Sequence, residues 1–396
     1  MKMFGLLQLI CIIVILLTGC WDRVEVNDLA IITAAAIDYH EDDQIKLSVQ
    51  LFIPRAISSG GESGGGTGGD EQTIVRTGIG INLADAISKL QVNIPRKIFW
   101  GHCKVFIFGE ELAKNGIQET MDFLLRHPQP RERAYMYVSK GEAKKILSLI
   151  PPIERYSSEV LREISDLKIG MLVTMKDLDL MLTSEAQAPA LPLVEILPPE
   201  EGKEETKTIP IIKGTAVFKK DKMVGEISQT NTRGLLWFRK EIKDYTANVK
   251  IDDEGEEKIL SLMPVKTAVN LKPTIKNNQW IITVKIKTEG DIVQNGTNYN
   301  TMEPAIIDKF ERKYREDIEN RIQSSFAVIQ NDLNADVVNV ASEFHHFYPK
   351  EWDKVKKKWD EKFPEVKLDL DVEAYIRRPG YISTPGGLPE DEVKKK

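Results

Sequence analysis

The sequence predicts an α+β protein of several domains: a mixed α/β region, then an antiparallel β-meander packed with a long amphipathic helix. Three observations carry this prediction. Strand-length and helix-length patterns alternate between Ile74 and Leu149, as helical crossovers with some parallel pairing require. After residue 208, short strand patterns follow one another across turn residues. Then Ile306, Phe310, Tyr314, Ile318, Ile322, Phe326, Ile329 and Leu333 recur at three- and four-residue steps, forming one apolar helical stripe.

The chain begins with Met1-Lys2-Met3, a short positive segment, and runs from Phe4 to Leu17 broken only by Gly5 and Gln8. That run falls short of the roughly 20 apolar residues needed to cross a bilayer. It ends in Leu17-Thr18-Gly19-Cys20, which reads as a lipobox: small residues beside a cysteine that is acylated and then exposed by cleavage. On this reading 1–19 is a lipoprotein signal peptide, and Cys20 carries S-diacylglycerol and N-acyl (palmitate-type) groups. The competing reading is an uncleaved helix with an incidental cysteine, which the short run and its small-residue end disfavour. Each buried CH2 contributes about 0.8 kcal/mol and a single chain is marginal, so several acyl chains anchor firmly.

The whole chain has 396 residues and carries a net charge of -6, or -7 without the peptide that holds Lys2. An acidic body argues against nucleic acid as partner, since phosphate binding needs a dense basic surface. Of three cysteines, Cys11 leaves with the signal peptide and Cys20 takes the lipid. Cys103 alone remains, so the mature body forms no internal disulfide.

Taken in order, Leu29 to Ile37 is an apolar strand, and Ile45, Leu47, Val49, Leu51 and Ile53 alternate as a half-buried partner. Residues 58–69 are almost all Gly and Ser and read as a flexible loop. A strand at Thr73–Arg76, a turn at Gly78-Ile79-Gly80 and a helix from Asn82 to Leu90 follow. Val105–Phe108 is a core strand, Glu110–Arg126 a helix, Ala134–Val138 a strand, and Glu142–Leu149 and Ser157–Leu167 helices. Pro189, Pro192, Pro198, Pro199 and the charged run at 200–207 mark a linker. This divides the chain into an N-terminal α+β domain (20–199, with room for two lobes) and a C-terminal sheet-and-helix domain (208–380). In the second, Gly214–Phe218 and Met223–Ile227 form a hairpin. Strands at Ala247–Ile251, Ile259–Met263, Thr267–Pro273 and Trp280–Lys287 make the meander, with Pro273 at a strand end. After the long helix come helices at Val337–Phe344 and Trp352–Lys362 and a last strand at Val366–Ile376. Residues 381–396 read as a flexible tail.

Candidate chemistry is sparse, and the expectation is that the chain is no enzyme and holds no cofactor or metal. Gly78-Ile79-Gly80 lacks the third glycine of a dinucleotide fingerprint. His102-Cys103 and His345-His346 do not have zinc spacings. Cys103 reads as a buried thiol rather than a nucleophile. Trp352 and Trp359 read as core rather than a partner ridge, and Lys354, Lys356, Lys357 and Lys358 as a solvated face. The abundant carboxylates could include a hydrolytic pair in space, which sequence alone does not reveal.

Several segments together resemble the Ger(x)C family, the lipoprotein C subunits of spore nutrient germinant receptors. They are Gly19-Cys20-Trp21-Asp22 with Glu25; Gly101-His102-Cys103-Lys104-Val105-Phe106-Ile107-Phe108-Gly109-Glu110-Glu111-Leu112-Ala113; Arg126; Gly214 through Gly225; Leu236-Trp237; and Trp352 through Phe363-Pro364. The resemblance spans nearly the whole mature chain. It implies a mixed α+β body without known catalytic activity, lipidated at Cys20 in the outer leaflet of the spore inner membrane. It also implies a complex with two polytopic membrane proteins, an A subunit and a B subunit that resembles amino-acid transporters. It carries over no catalytic residues, and the stretch at 58–69 departs from it as an insertion. A lipid-anchored solute-binding protein of an importer is the alternative and needs two similar α/β lobes. A cell-wall hydrolase is the third class.

Overall fold

The computed structural model describes residues 25–53, 72–242, 245–380, 382 and 384–394. The lipobox with Cys20 and the Gly/Ser stretch at 58–69 lie outside the described residues.

Strand β1 (Leu29–His40) pairs antiparallel with β2 (Gln44–Phe52), and β2 with β3 (Thr73–Gly80). Helix α1 (Leu83–Val92) leads to β4 (Lys97–Phe99) and β5 (Val105–Gly109), both parallel to β1. Helices α2 (Glu110–Asn115) and α3 (Gln118–Arg126) precede β6 (Tyr135–Ser139), parallel to β5. Helices α4 (Lys144–Leu147), α5 (Ser157–Asp166) and α6 (Met175–Thr183) precede β7 (Ala190–Ile196), parallel to β6. Strands β8 (Pro210–Lys219) and β9 (Lys222–Ser228) close the edge antiparallel, giving nine strands in the order β3-β2-β1-β5-β6-β7-β8-β9 with β4 beside β1.

The central strands are covered on both faces, and strand alternation shows how. Ala35, Ile37, Phe106 and Phe108 point into the main core, whereas Ala34, Ala36, Val105 and Ile107 point into a second cluster with Ile146 and Leu161. The expectation of a half-buried β2 is therefore corrected. Ser48 and Gln50, its polar positions, are also buried, because α4 and α5 cover that face.

Helix α7 (Gln229–Phe238) carries the chain to a second sheet of β10 (Ala247–Asp253), β11 (Glu256–Lys276), β12 (Gln279–Asn295) and β13 (Lys367–Arg378). The first three form an antiparallel meander, but the strands expected separately at Ile259–Met263 and Thr267–Pro273 are one, β11, which runs on through register shifts near Leu262 and Pro264; β13 adds in parallel to β12. Between them run α8 (Pro304–Ala327), extended by a π-helical turn to Asp332, then α9 (Val340–Phe347), α10 (Pro349–Val355) and α11 (Trp359–Lys362). The predicted stripe of α8 is buried from Ile306 through Ile329. Pro273 lies inside β11, not at its end. Beyond Leu262, β11 pairs only with β12, so its other side has no strand to receive the missing N–H.

Other elements differ from expectation for local reasons. The hairpin expected in the C-terminal domain is β8–β9 and belongs to the first sheet. The expected linker at 200–207 is the loop between β7 and β8, tied by Ile150 N–H to Thr206 O at 2.8 Å and by ion pairs of Lys203 with Glu200 and Lys207 with Glu204. The helix expected over 110–126 breaks at Gly116, whose φ is +129° and whose Cβ would lie 2.5 Å from Asp221 Oδ2. Gly78 and Gly80 are strand residues, not a turn. A Cβ on either would meet α1 backbone at 2.3 Å, so their bareness lets the helix lie on the strand. The segment expected to fray is fixed near its end, where Lys394 N–H donates to Asn298 O and Lys394 Nζ meets Asp253 at 2.7 Å.

The two halves touch closely at Gly234 of α7. A Cβ there would lie 1.9 Å from Ser325 Oγ and 2.5 Å from the Arg321 carbonyl oxygen of α8. Overpacking at such a contact costs about 1–3 kcal/mol. Gly234→Ala is expected to lower the urea midpoint of the full chain accordingly, and an unchanged midpoint would contradict this close helix contact.

Candidate functional site

Cys20, the one predicted site residue, is not among the described residues. The described chain starts five residues later at Glu25, makes a single 3-10 turn at Val26–Asp28 and enters β1. The structural question is which part of the body lies nearest that point. Because β1, β5 and β6 are parallel and in register at Ala34, Val105 and Tyr135, they all begin at the same end. Lys104 N–H donates to Thr33 O at 3.1 Å and Tyr135 N–H to Lys104 O at 2.8 Å, which locks the segments preceding β5 and β6 beside Thr33, in the first half of β1, while β4 flanks its start at Leu29.

The residues weighed as chemical candidates resolve individually. Cys103 is 2% exposed, and its thiol donates to Val105 O at 3.5 Å. Burial pushes its pKa far above the usual thiol range, so it is a core group with little thiolate character. His102 is exposed and meets Phe99 edge-on. His345 Nδ1 lies 2.7 Å from Glu185, and His346 packs on Phe347. Among the described residues, no three His, Cys, Asp or Glu side chains gather as a metal site. Trp352 and Trp359 are buried with Trp280, Phe344 and Phe363 around them. Lys356 pairs with Asp353, and Lys358 approaches Glu361 at 3.9 Å, on a solvated helical face.

Two carboxylates that sequence reasoning passed over are the most perturbed acids. Asp38, at the end of β1, accepts from Ala143 N–H at 2.7 Å and Lys144 N–H at 3.0 Å, capping α4. A Cβ on Gly109 would lie 2.1 Å from its Oδ1, so the glycine makes room for the carboxylate. Burial pushes Asp38 up to about 6, opposed by those two N–H donors. Asp336 accepts from Val340 N–H at 2.9 Å, Ala341 N–H at 2.8 Å and Trp359 Nε1–H at 3.2 Å. Burial pushes it to about 7 despite the three donors. Both cap helices and form no ion pair among the described residues, which makes them structural polar centres. Asp336 stands four residues before Val340, as an Asp preceding a helix, whereas Asp38 lies 105 residues from Ala143 and carries no local cap signal.

A third buried group is Gln50. Its amide donates to Leu147 O at 2.9 Å and Ser157 Oγ at 3.1 Å, and its carbonyl accepts from Thr33 at 3.0 Å and Ser158 at 2.7 Å. That satisfies the side chain fully and ties β1 and β2 to α4 and α5.

Comparison with known proteins fits this body. Residues 22–196 match the model of the spore germination protein N-terminal domain, and residues 213–380 the model described as spore germination B3/GerAC like, C-terminal. Spore germination protein KC of Bacillus subtilis (strain 168) is 27% identical over 94% of this chain and 95% of its own. Spore germination protein YndF of the same organism is 26% identical over 95% and 96%. The crystal structure of the GerBC protein matches with a TM-score of 0.56 and 20% identity, covering 87% of this chain and 97% of that one, which shows a shared fold. The chain belongs to the GerAC family of spore germination proteins. The gap between the two family models, 197–212, falls inside the first sheet and covers the β7–β8 loop and the first three residues of β8.

The raised acids give a pH signature. An unfolded Asp titrates near 3.9, so from about pH 4 the folded chain holds protons that the unfolded chain has lost, at Asp38 up to about pH 6 and at Asp336 up to about pH 7. Their contribution to stability therefore falls as pH rises through that window. Asp336→Asn has no charge to bury. Its stability relative to wild type, from urea midpoints, is expected to improve between pH 4 and 7, and a pH-independent difference would refute the assignment.

Proposed function

We propose that this protein is a lipid-anchored, non-enzymatic subunit of a nutrient germinant receptor, required for spores to germinate in response to nutrients. Acylated Cys20 holds it in the outer leaflet of the spore inner membrane, beside polytopic A and B subunits. The observation that carries the reading is the ordered match of both spore germination family models across nearly the whole body, together with the lipobox ahead of it. Relatives over their full length are named as spore germination proteins. The groups best placed for chemistry support it too, because Cys103, Asp38 and Asp336 are taken up in the core and in helix caps.

The fold disfavours the solute-binding alternative on its own terms. That class needs two similar α/β lobes about a cleft, whereas here a nine-stranded mixed sheet is joined to a four-stranded, largely antiparallel one. Helices α7 and α8 pack the two together.

The test is extraction of spore membranes in mild detergent, with capture through a C-terminal tag. Two polytopic proteins are expected to co-purify, and the N-terminal peptide is expected to start at Cys20 with the mass of its acyl groups. Recovery of the chain alone, or with an importer permease, would defeat the receptor reading. Cys20→Ala spores should germinate poorly on nutrients while still responding to a non-nutrient trigger; normal nutrient germination would remove the need for the anchor.

A further inference from the structure

We propose that the end of the first sheet at which β1, β5 and β6 begin is a membrane-facing surface that lies on an anionic bilayer. Lys104, Arg131, Arg133 and Arg155 meet lipid phosphates, and Val92 and Ile153 enter the headgroup layer. The proposal rests on the reading of Cys20 as a lipid anchor. It adds a face and an orientation to what would otherwise be a body on a string.

Reach comes first. Four residues lie between Cys20 and Glu25, and an extended chain spans at most about 3.5 Å per residue step. The Cα of Cys20 therefore lies within about 17 Å of that of Glu25, and Val26–Asp28 then turns directly into β1. Whatever surrounds the start of β1 is held close to the headgroups.

Beside Ile31 and Thr33, a few residues along β1, the surface is cationic. The segments preceding β5 and β6 bring Lys104, Arg131 and Arg133 to one cleft of about 450 Å³. An adjoining cleft shares His102, Lys104 and Arg162 and adds Arg155. Arg162 is engaged by Asp166 at 2.7 Å and by Glu163. Lys104, Arg131, Arg133 and Arg155 are exposed and have no ion pair among the described residues. Across the two clefts five cations stand against the carboxylates of Glu159 and Asp166, on a chain whose net charge is -6. On the other flank, β4 pairs Lys97 with Leu29 at the very start of β1, which brings Arg96 and Lys97 to the same end.

Apolar side chains complete the face. Ile153, two residues before Arg155, is 91% exposed, and Val92, just before the Asn93–Arg96 loop, is 86% exposed. They are the two most exposed large aliphatics among the described residues. The Asn93–Arg96 loop lines a hollow with Leu29 and Ala30, so Val92 belongs to the tethered end by position. Aliphatics beside Lys and Arg are the composition of interfacial membrane contacts.

Acidic Glu132 and Glu154 lie beside these cations in sequence and moderate the attraction. Moderate attraction suffices. The acyl anchor supplies the affinity, so the face meets the bilayer as an intramolecular event at high effective concentration. Each Lys or Arg near an anionic surface contributes about fivefold in partitioning, enough for a few to fix an orientation.

The test uses the processed, acylated full-length protein in nanodiscs of phosphatidylcholine alone or mixed with phosphatidylglycerol, read by amide hydrogen exchange. Residues 92–97, 101–104, 131–134 and 153–156 are expected to exchange several-fold more slowly on the anionic discs. That protection should vanish in about 1 M salt, where the Debye length is about 3 Å. The variant Lys104→Ala/Arg131→Ala/Arg133→Ala/Arg155→Ala should keep its thermal midpoint and its anchor but lose the protection, including at Val92. Equal exchange on both disc types, or full protection in the variant, overturns the proposal. The mass of the N-terminal peptide in the same sample separates the two failures: an unacylated Cys20 sinks the anchor reading, whereas an acylated chain without lipid-dependent protection sinks the face alone.

Discussion

The structure depends on the β8–β9 hairpin being in two places at once. Its backbone completes the first sheet by pairing with β7. Its turn is held by Ile117 N–H donating to Asp221 O at 3.0 Å, which is possible only because Gly116 has no Cβ to strike the Asp221 carboxylate. Its outer strand faces the second half, where a Cβ on Gly225 would lie 2.6 Å from Leu333. Lys219 of the inner strand reaches Asp360 at 3.2 Å. The next helix continues the seam through Gly234 against Ser325. Thr215 and Thr232 bond across the hairpin–helix corner at 2.9 Å, buried from water. Glycines at these points trade chain entropy for backbone approach, and the result is one apolar cluster that runs from Ala30 to Ala374.

Buried polar groups then decide where the covering helices sit. A polar atom left unsatisfied in a core costs about 1–3 kcal/mol, so Gln50, Asp38 and Asp336 are compatible with burial only when their helices are in register. Gln50 accepts and donates to three separate elements. Asp38 and Asp336 each terminate a strand or loop and receive the first N–H groups of a helix, where the helix dipole also favours negative charge. Both carboxyls are nonetheless pushed upward, which shows that desolvation outweighs the donors at these two points. They specify geometry at some cost in stability near neutral pH.

Sequence patterns were informative where a single period dominated. The α8 stripe, the β1–β2 hairpin, the β5 core strand and the meander all follow from spacing of apolar residues, and burial of Cys103, Trp352 and Trp359 from residue type. The reading failed where proline or glycine was treated only as punctuation. Pro192 sits within β7, whose pairing to β6 covers just Leu193 and Val194, so the missing N–H is tolerated. Gly78 and Gly80 serve close packing, not a turn. Helix α6 went unread although Thr174-Met175-Lys176-Asp177 carries a capping box, with Thr174 Oγ1 accepting from Asp177 N–H at 3.2 Å and Asp177 Oδ2 from Thr174 N–H at 3.0 Å. Membership of β8–β9 in the first sheet could not be read, because a hairpin's own pattern is the same whichever sheet it joins. Asp38 and Asp336 were invisible for a related reason: nothing local distinguishes a buried cap from the many exposed carboxylates.

Strand direction converts a tether into a layout. β1 has twelve residues, and at about 3.3 Å per residue it spans about 40 Å. With the proposed anchor at Cys20, the start of β1 is the end nearest the bilayer, and Asp38, Gly109 and the Gly141 loop lie toward the strand's other end. The parallel neighbours β5 and β6 obey the same polarity because each is reached by a helical crossover. Under that proposal the two ends of β1 differ in chemistry: exposed Lys97 and Val92 lie near its start, and the buried, helix-capping Asp38 lies near its end. Under the proposed anchor, a partner embedded in the membrane meets the start of β1 first. The short segment from Cys20 to Glu25 therefore constrains which residues can touch it more tightly than a long linker could.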